Sequence, residues 1–136
     1  MSGFVVAVAC VIVRGDRALA LRRGAHRDAE AGIWEVVSGR MDRSEQPLEA
    51  IAREVREECG LEVAIDPRPI DAYTMMRGQA PMVLVVYRAR WVSGEVARSD
   101  EHDAHDWLTA EEARERGMPA RLLSAFSTAI SLARGP

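Results

Sequence analysis

Apolar residues in the first third of the chain form extended runs, a pattern that predicts strands. Phe4 to Val13 and Arg17 to Arg23 are joined by Arg14-Gly15-Asp16, whose composition suits a tight hairpin turn. Ile33 to Val37 predicts a third short strand, which Ser38-Gly39 breaks. We therefore expect two antiparallel strands followed by a third, shorter one.

The middle of the chain changes to helical spacing. Apolar Leu48, Ile51 and Val55 recur three or four residues apart between Pro47 and Cys59. Proline suits the first turn of a helix, because the N–H that it lacks would have no partner there. This segment predicts one helix with an apolar face.

The second half returns to strand-like segments, at Leu61 to Ile65, Ile70 to Met76 and Met82 to Trp91. Thr109 to Glu112 matches a helical capping box, and Pro119 begins a last helical pattern. Strands that alternate with few helices predict an α/β fold, in which helices flank a mixed sheet.

Composition and charge narrow the class of protein. With 136 residues, 48% of them hydrophobic and 29% charged, residues 1–136 are expected to form a single domain. The net charge of −3 and the lack of a basic block argue against a duplex nucleic acid partner. Phe4 to Val13 has about half the roughly twenty residues that cross a bilayer, and no basic segment precedes it. We expect no membrane partner and a cytoplasmic location.

The residue types limit the available chemistry. Only Cys10 and Cys59 carry thiols, so the sequence predicts neither a disulfide framework nor a zinc site. Every one of the 18 basic residues is arginine, which excludes a P-loop lysine. A phosphate group on a substrate would have to be bound by guanidinium groups, which can donate two parallel hydrogen bonds.

Three carboxylates share one wedge of the predicted helix, opposite its apolar face. Glu54, Glu57 and Glu58 are neighbours because residues at i, i+3 and i+4 lie together on a helix. Two of them fall in the last turn, where the helix dipole disfavours negative charge. A solvated acidic face would tolerate this arrangement. Hard carboxylate oxygens also bind Mg²⁺, which bridges to substrate phosphates, so the cluster is a candidate metal site.

A longer pattern contains these glutamates. Gly39, five residues, Glu45, seven residues and then Arg53 to Leu61 match the Nudix box GX5EX7REUXEEXGU at every fixed position. Trp34, Glu101-His102 and Trp107 resemble features that flank the box. The chain thus resembles the Nudix hydrolase superfamily, in its MutT-like form. The resemblance implies an α/β/α sandwich with a central mixed sheet, and hydrolysis of a phosphoanhydride bond in a nucleoside diphosphate derivative.

The resemblance also implies the cofactor and its ligands. Glu54, Glu57 and Glu58 would bind Mg²⁺ or Mn²⁺, and the carbonyl of Gly39 would be an additional ligand. Glycine also lets the backbone approach a metal or a substrate phosphate closely. Glu54 is one candidate for the base that activates water, and Glu101 is the other.

Several neighbouring residues have implied or alternative roles. Arg53 would orient carboxylates through salt bridges, and Glu45 would serve the same junction of loop and helix. Glu101 would supply a further metal ligand or the base. Asp100 and Asp103 are close alternatives to Glu101, since all three lie in one acidic stretch.

Substrate contacts are predicted less directly. Arg22 and Arg23 end the second strand and should point to opposite faces, so one of them could bind phosphate, with Arg23 the choice, unless both are solvated. Trp34 and Tyr73 could stack on a base, although aromatic residues in half-buried strands more often belong to the core.

The chain departs from the common pattern of the family at two places. The chain has Val37-Ser38-Gly39 where the family commonly has Pro-Gly-Gly, and Ser44-Glu45 in place of Gly-Glu. The catalytic positions remain, but the resemblance does not predict the shape of the diphosphate pocket.

His102 and His105 lie in a loop-like segment without a recognised zinc pattern, so we expect surface residues there.

Substrate choice rests on residues outside the box. The expected substrate is a nucleoside triphosphate or an oxidised nucleotide. The alternative is a Nudix-fold module that binds a nucleotide without turnover, against which the complete set of glutamates argues. The family analogy is compatible with a homodimer, but no interface can be read from the sequence.

Overall fold

The computed structural model describes residues 3–25 and 31–132, in which strands and helices alternate along the chain. In chain order they are β1 (Val5–Arg14), β2 (Arg17–Arg23), β3 (Trp34–Glu35), β4 (Val37–Arg40), α1 (Pro47–Glu58), β5 (Glu62–Ile65), β6 (Asp71–Arg77), β7 (Ala80–Ser93), β8 (His102–Leu108), α2 (Ala110–Glu115) and α3 (Ala120–Leu132).

Strand β1 lies at the centre of one mixed sheet. It pairs in parallel with β7, from Val5 beside Met82 to Val13 beside Arg90. Its other edge pairs antiparallel with β4 and, at the hairpin, with β2. The predicted hairpin is confirmed, but it is short, because β2 soon diverges from β1 to pair with β8 and β3.

The two faces of the sheet bury separate hydrophobic cores. Alternate residues of β1 point to opposite faces, as the two-residue period of a strand requires. One face packs against α1, and the other packs against α2 and α3. Burial on both faces explains why β1 reads as a continuous apolar run. The predicted α/β/α sandwich with a central mixed sheet is confirmed.

Two local predictions are wrong. Ser38-Gly39 does not break the strand but lies inside β4, where Gly39 pairs with Val8. The segment that contains His102 and His105 is strand β8, not a loop, and it pairs with β2 along its length. Aspartate and histidine lower its strand propensity, and the backbone pairing with β2 overrides that preference.

Cys10 and Cys59 are both buried with free thiols, consistent with small core residues. Within residues 3–25 and 31–132, no helix combines the length and the apolar composition needed to cross a membrane.

Candidate active site

Helix α1 carries the acidic cluster to the edge of the sheet. The Gln46 N–H donates to the Glu49 carboxylate at 2.8 Å, which satisfies a backbone donor at the start of the helix. Ile51 and Val55 are buried against the sheet, as predicted, whereas Leu48 is 39% exposed. The apolar face is therefore rotated from its predicted position.

The three glutamates of the box have different environments. Glu54 and Glu58 are buried, with 8% and 2% of their surface exposed, so they do not lie opposite the core as predicted. The side chain of Glu57 remains 56% exposed. Residues at i and i+4 share a face, and the tertiary contacts of α1 turn the face of Glu54 and Glu58 inward.

Glu58 is held beneath strand β4. The backbone N–H of Ser38 donates to Glu58 Oε1 at 3.2 Å, while Glu58 Oε2 is buried without a hydrogen-bond partner in the described structure. Burial, followed by the neighbouring Glu54 carboxylate, raises the pKa of Glu58. An unpaired buried oxygen is costly, which indicates that a further group belongs at this position.

Glu54 lies against Gly39 of β4. Burial raises the pKa of Glu54, although the adjacent Arg53 guanidinium opposes that shift. A Cβ atom at position 39 would lie 1.9 Å from Glu54 Oε2, so only glycine leaves room for this carboxylate. Two carboxylates with raised pKa values and hard oxygen donors fit a divalent cation, whose charge would offset their repulsion.

Arg53 links the loop before α1 to the acidic cluster. Its Nε and Nη2 donate to the two oxygens of Glu45 at 2.6 and 2.8 Å, and its Nη1 reaches Glu54 at 3.1 Å and Glu57 at 3.3 Å. The Arg40 carbonyl also accepts from Nη2, at 3.1 Å. The Arg53 hydrogen bonds lower the pKa of Glu45 to about 2. One planar guanidinium therefore braces three carboxylates.

Glu101 comes from the turn before β8 to the same site. Ligand atoms of Glu58, Glu101 and His102 lie within 4.8 Å of one another. Asp103, one of the alternatives to Glu101, pairs instead with Arg22 Nε at 2.7 Å. Asp100, the other alternative, is exposed.

His102 and Glu35 form a buried pair that sequence reasoning missed. His102 is only 5% exposed, which contradicts its prediction as a surface residue, and its Nε2 lies 3.0 Å from Glu35 Oε2. Arg23 Nη1 and Arg77 Nη1 each donate to Glu35 at 3.3 Å. The available signal was Glu35 itself, a carboxylate between Trp34 and apolar Val36.

Two cavities meet beside this cluster. One, of about 260 Å³, is lined by the acidic residues Glu54, Glu58 and Glu101 and by the basic residues Arg23 and Arg77. The other, of about 290 Å³, is mainly apolar. The residues that line both cavities are Glu35, Ser38, Arg77 and Leu84.

Tyr73 and Trp34, the two aromatic candidates for stacking on a base, differ in their position relative to these cavities. Tyr73 lines the apolar cavity, and the Arg121 guanidinium lies 4.7 Å from its ring centroid. Trp34 lines neither cavity. It is partly buried and packs against the core, and the Arg116 guanidinium lies 4.7 Å from its ring centroid. Geometry therefore favours Tyr73 over Trp34 as a surface for a substrate.

Comparison with known proteins agrees with the box and the fold. Residues 3–126 match the family model of the NUDIX domain. The chain is a Nudix hydrolase.

This Nudix hydrolase is similar to several bacterial proteins. It is 38% identical to a MutT-like protein of Streptomyces ambofaciens, over 82% of this chain and 68% of that protein. It is 30% identical to the CTP pyrophosphohydrolase of Escherichia coli over 88% of each chain. A Mycobacterium tuberculosis protein named as an 8-oxo-dGTP diphosphatase is 36% identical, over 79% of this chain and 74% of that protein.

A solved MutT protein from Methanosarcina mazei shares the fold of this Nudix hydrolase. The two superpose with a TM-score of 0.83, covering 99% of this chain and 98% of the other at 22% identity. Proteins of this family generally use a divalent metal. The glutamates that line the smaller cavity supply the oxygen donors that such a metal prefers.

Proposed function

We propose that this Nudix hydrolase binds Mg²⁺, or Mn²⁺, and hydrolyses a phosphoanhydride bond of a nucleoside triphosphate or an oxidised nucleotide. The observation that carries the proposal is the buried pair Glu54 and Glu58, whose crowded carboxylates line a cavity that arginines also line. Such a cavity complements a cation together with an anionic polyphosphate chain.

The metal ligands that we propose are Glu54, Glu57, Glu58 and the Gly39 carbonyl. Glu58 has an unpaired oxygen, and Glu54 contacts the site of Gly39 directly. Glu57 is more exposed and reaches the cluster through Arg53. A cation bound there would neutralise phosphate charge and lower the pKa of a bound water.

The residues of the chain would then position the reacting groups. Glu54 and Glu101 both line the cavity, and either carboxylate could accept the proton of the attacking water. Burial raises the pKa of Glu54, which makes its carboxylate a stronger base. Arg53 would hold Glu54 in place, and Arg23, which lines the same cavity, would bind phosphate.

The two cavities suggest how a nucleotide would be divided between them. Phosphates would occupy the charged cavity, while the base would occupy the apolar cavity beside Tyr73. The similar proteins named for CTP and for 8-oxo-dGTP support a nucleotide substrate of this kind. The apolar lining is also the part of the chain in which substrate choice would reside.

The test is metal-dependent release of phosphate or pyrophosphate from a panel of nucleoside triphosphates, 8-oxo-dGTP, ADP-ribose, dinucleoside polyphosphates and nucleotide sugars. We expect turnover of a triphosphate by the wild type and its loss in Glu54→Gln and Glu58→Gln. Glu115→Gln is the matched control, because Glu115 is exposed at the end of α2. Full activity in the Glu54 and Glu58 variants would overturn the proposed site, and inactivity of the wild type on all triphosphates would overturn the substrate class.

Comparing Glu54→Gln with Glu101→Gln addresses the base. The variant that lacks the base should lose kcat at saturating metal while it still binds a non-hydrolysable nucleotide. The single domain over residues 1–136, the cytoplasmic location and the homodimer stay predictions. Sedimentation of the purified protein would check the last of these.

A further inference from the structure

A buried carboxylate connects the two cavities. Only 6% of the Glu35 side chain is exposed, and both of its oxygens are engaged. Oε1 accepts from Arg77 Nη1, and Oε2 accepts from Arg23 Nη1 and lies 3.0 Å from His102 Nε2. Side chains from three strands, β2, β6 and β8, thus converge on one side chain of β3.

The groups that surround Glu35 control the ionisation of its carboxyl group. Burial raises the pKa of Glu35, but the His102 hydrogen bond and the charges of Arg77 and Arg23 outweigh burial and leave the pKa below its usual value. The carboxylate is therefore ionised at neutral pH. Glu35, Arg23 and Arg77 line the same cavity as Glu54 and Glu58 of α1.

The position of Arg77 differs from that of Arg23. Arg23 lines only the charged cavity, whereas Arg77 lines both cavities. Arg77 is the last residue of β6 and lies outside the Nudix box. A nucleotide that spans both cavities would pass Arg77 where its phosphates meet its nucleoside.

We propose that Arg77 binds substrate phosphate together with Arg23, and that Glu35 is the positioning residue that aims both guanidinium groups at the charged cavity. The inference rests on the proposed function for the identity of the substrate, but phosphate binding itself can be measured without turnover. Fixing both guanidinium groups before binding reduces the entropy lost when phosphate is bound.

The Glu35→Gln variant distinguishes a positioning role of Glu35 from a purely electrostatic effect on anion binding. Glu35→Gln removes a negative charge near the phosphate site, so electrostatics alone predicts tighter binding of an anion. Glutamine, however, offers one acceptor oxygen where glutamate offers two, so it cannot accept from both arginines with the same geometry. Positioning therefore predicts weaker binding. The two explanations differ in the sign of the effect.

The experiment is calorimetric titration of the full chain with methylenediphosphonate in saturating Mg²⁺. This diphosphate analogue has no P–O–P bond to hydrolyse. Arg77→Gln and Arg23→Gln should each weaken binding by about ten- to a hundredfold, the effect of losing a charge-assisted hydrogen bond. Glu35→Gln should weaken it by about tenfold.

The matched control is Arg22→Gln. Arg22 neighbours Arg23 in β2, but it pairs with exposed Asp103 and lines neither of the two cavities. Arg22→Gln removes the same charge as Arg23→Gln and should change the affinity for methylenediphosphonate by less than about twofold. Thermal unfolding of each variant accompanies the titrations. If Glu35→Gln does not fold, Arg77→Lys tests the same proposal, because lysine keeps the charge and loses the planar fork.

The results separate this inference from the proposed function. Arginine-dependent binding of methylenediphosphonate by a protein that hydrolyses no nucleotide would support the inference and overturn the proposed function. Nucleotide turnover with unchanged methylenediphosphonate affinity and unchanged KM in Arg77→Gln would overturn the inference. Tighter binding by folded Glu35→Gln, or no binding by the wild type, would also overturn it.

Discussion

An added methyl group at position 39 would overlap the carboxylate of Glu54. A Cβ atom there lies 1.9 Å from Glu54 Oε2, 2.2 Å from Cδ and 2.7 Å from Oε1. Carbon and oxygen atoms that are not bonded to each other do not approach this closely, so in Gly39→Ala the carboxylate must retreat by about 1 Å or more. The displaced atoms are the proposed metal-binding atoms of Glu54.

The fold should tolerate this substitution better than the site does. Gly39 is not among the glycines with positive φ, so its backbone accepts alanine. Alanine also lowers the entropy of the unfolded chain, which stabilises a protein by about 0.4–1 kcal/mol and offsets part of the cost of moving Glu54. A displacement of about 1 Å at a reacting centre costs about a hundredfold in rate, or about 2.7 kcal/mol.

We expect Gly39→Ala to lose about a hundredfold in kcat/KM and to bind Mn²⁺ more weakly, with a melting temperature within a few degrees of the wild type. Initial rates, Mn²⁺ titration followed by electron paramagnetic resonance, and thermal unfolding measure the three quantities. Gly3→Ala is the control, because a Cβ atom there meets nothing within 4 Å. Wild-type metal affinity and turnover in Gly39→Ala would refute the reasoning.

Three further predictions concern side chains of the site. Arg53→Lys should lower kcat by about tenfold or more, because lysine cannot donate to both oxygens of Glu45 and also reach Glu54; steady-state rates equal to the wild type would contradict this. Burial raises the folded-state pKa of Glu58 above its unfolded value, so its contribution to stability is present at low pH and lost as the pH rises above the usual carboxyl range. Metal-free Glu58→Gln should therefore be more stable than the wild type at neutral pH. Denaturant unfolding in EDTA, from the usual carboxyl range up to neutral pH, measures this difference. Equal stabilities at neutral pH would contradict the prediction. Tyr73→Ala should raise KM for the nucleotide by about tenfold and leave methylenediphosphonate affinity unchanged, because the ring lines the apolar cavity and not the charged one; an equal loss of affinity for the diphosphonate would contradict that division.

Local sequence patterns predicted the features that depend on a single strand or helix. The uninterrupted apolar run of β1 predicts a strand buried on both faces, and α1 was predicted to within one residue of its observed end. The spacing of Glu54, Glu57 and Glu58 follows from the helical repeat alone. The Nudix box adds Gly39 and Arg53 to the same site, because the family resemblance carries information about tertiary contacts that periodicity does not.

Tertiary structure decided which of these groups are buried and what they contact. Helical periodicity made the three glutamates equivalent, whereas packing of α1 against β4 buries Glu58 under the Ser38 N–H and leaves Glu57 in solvent. His102 was mispredicted because its strand owes its existence to pairing with β2, which lies far away in the sequence.

The cluster around Glu35 shows the same division. Arg23, Arg77 and His102 lie 12, 42 and 67 positions from Glu35 along the chain. Each residue could be seen in the sequence, but their meeting depends on strand order and register. The sequence by itself determined the elements and the chemistry that each can carry, because those depend on neighbours three or four positions away. Only the fold determined which charges face one another, because those contacts depend on pairing between distant strands.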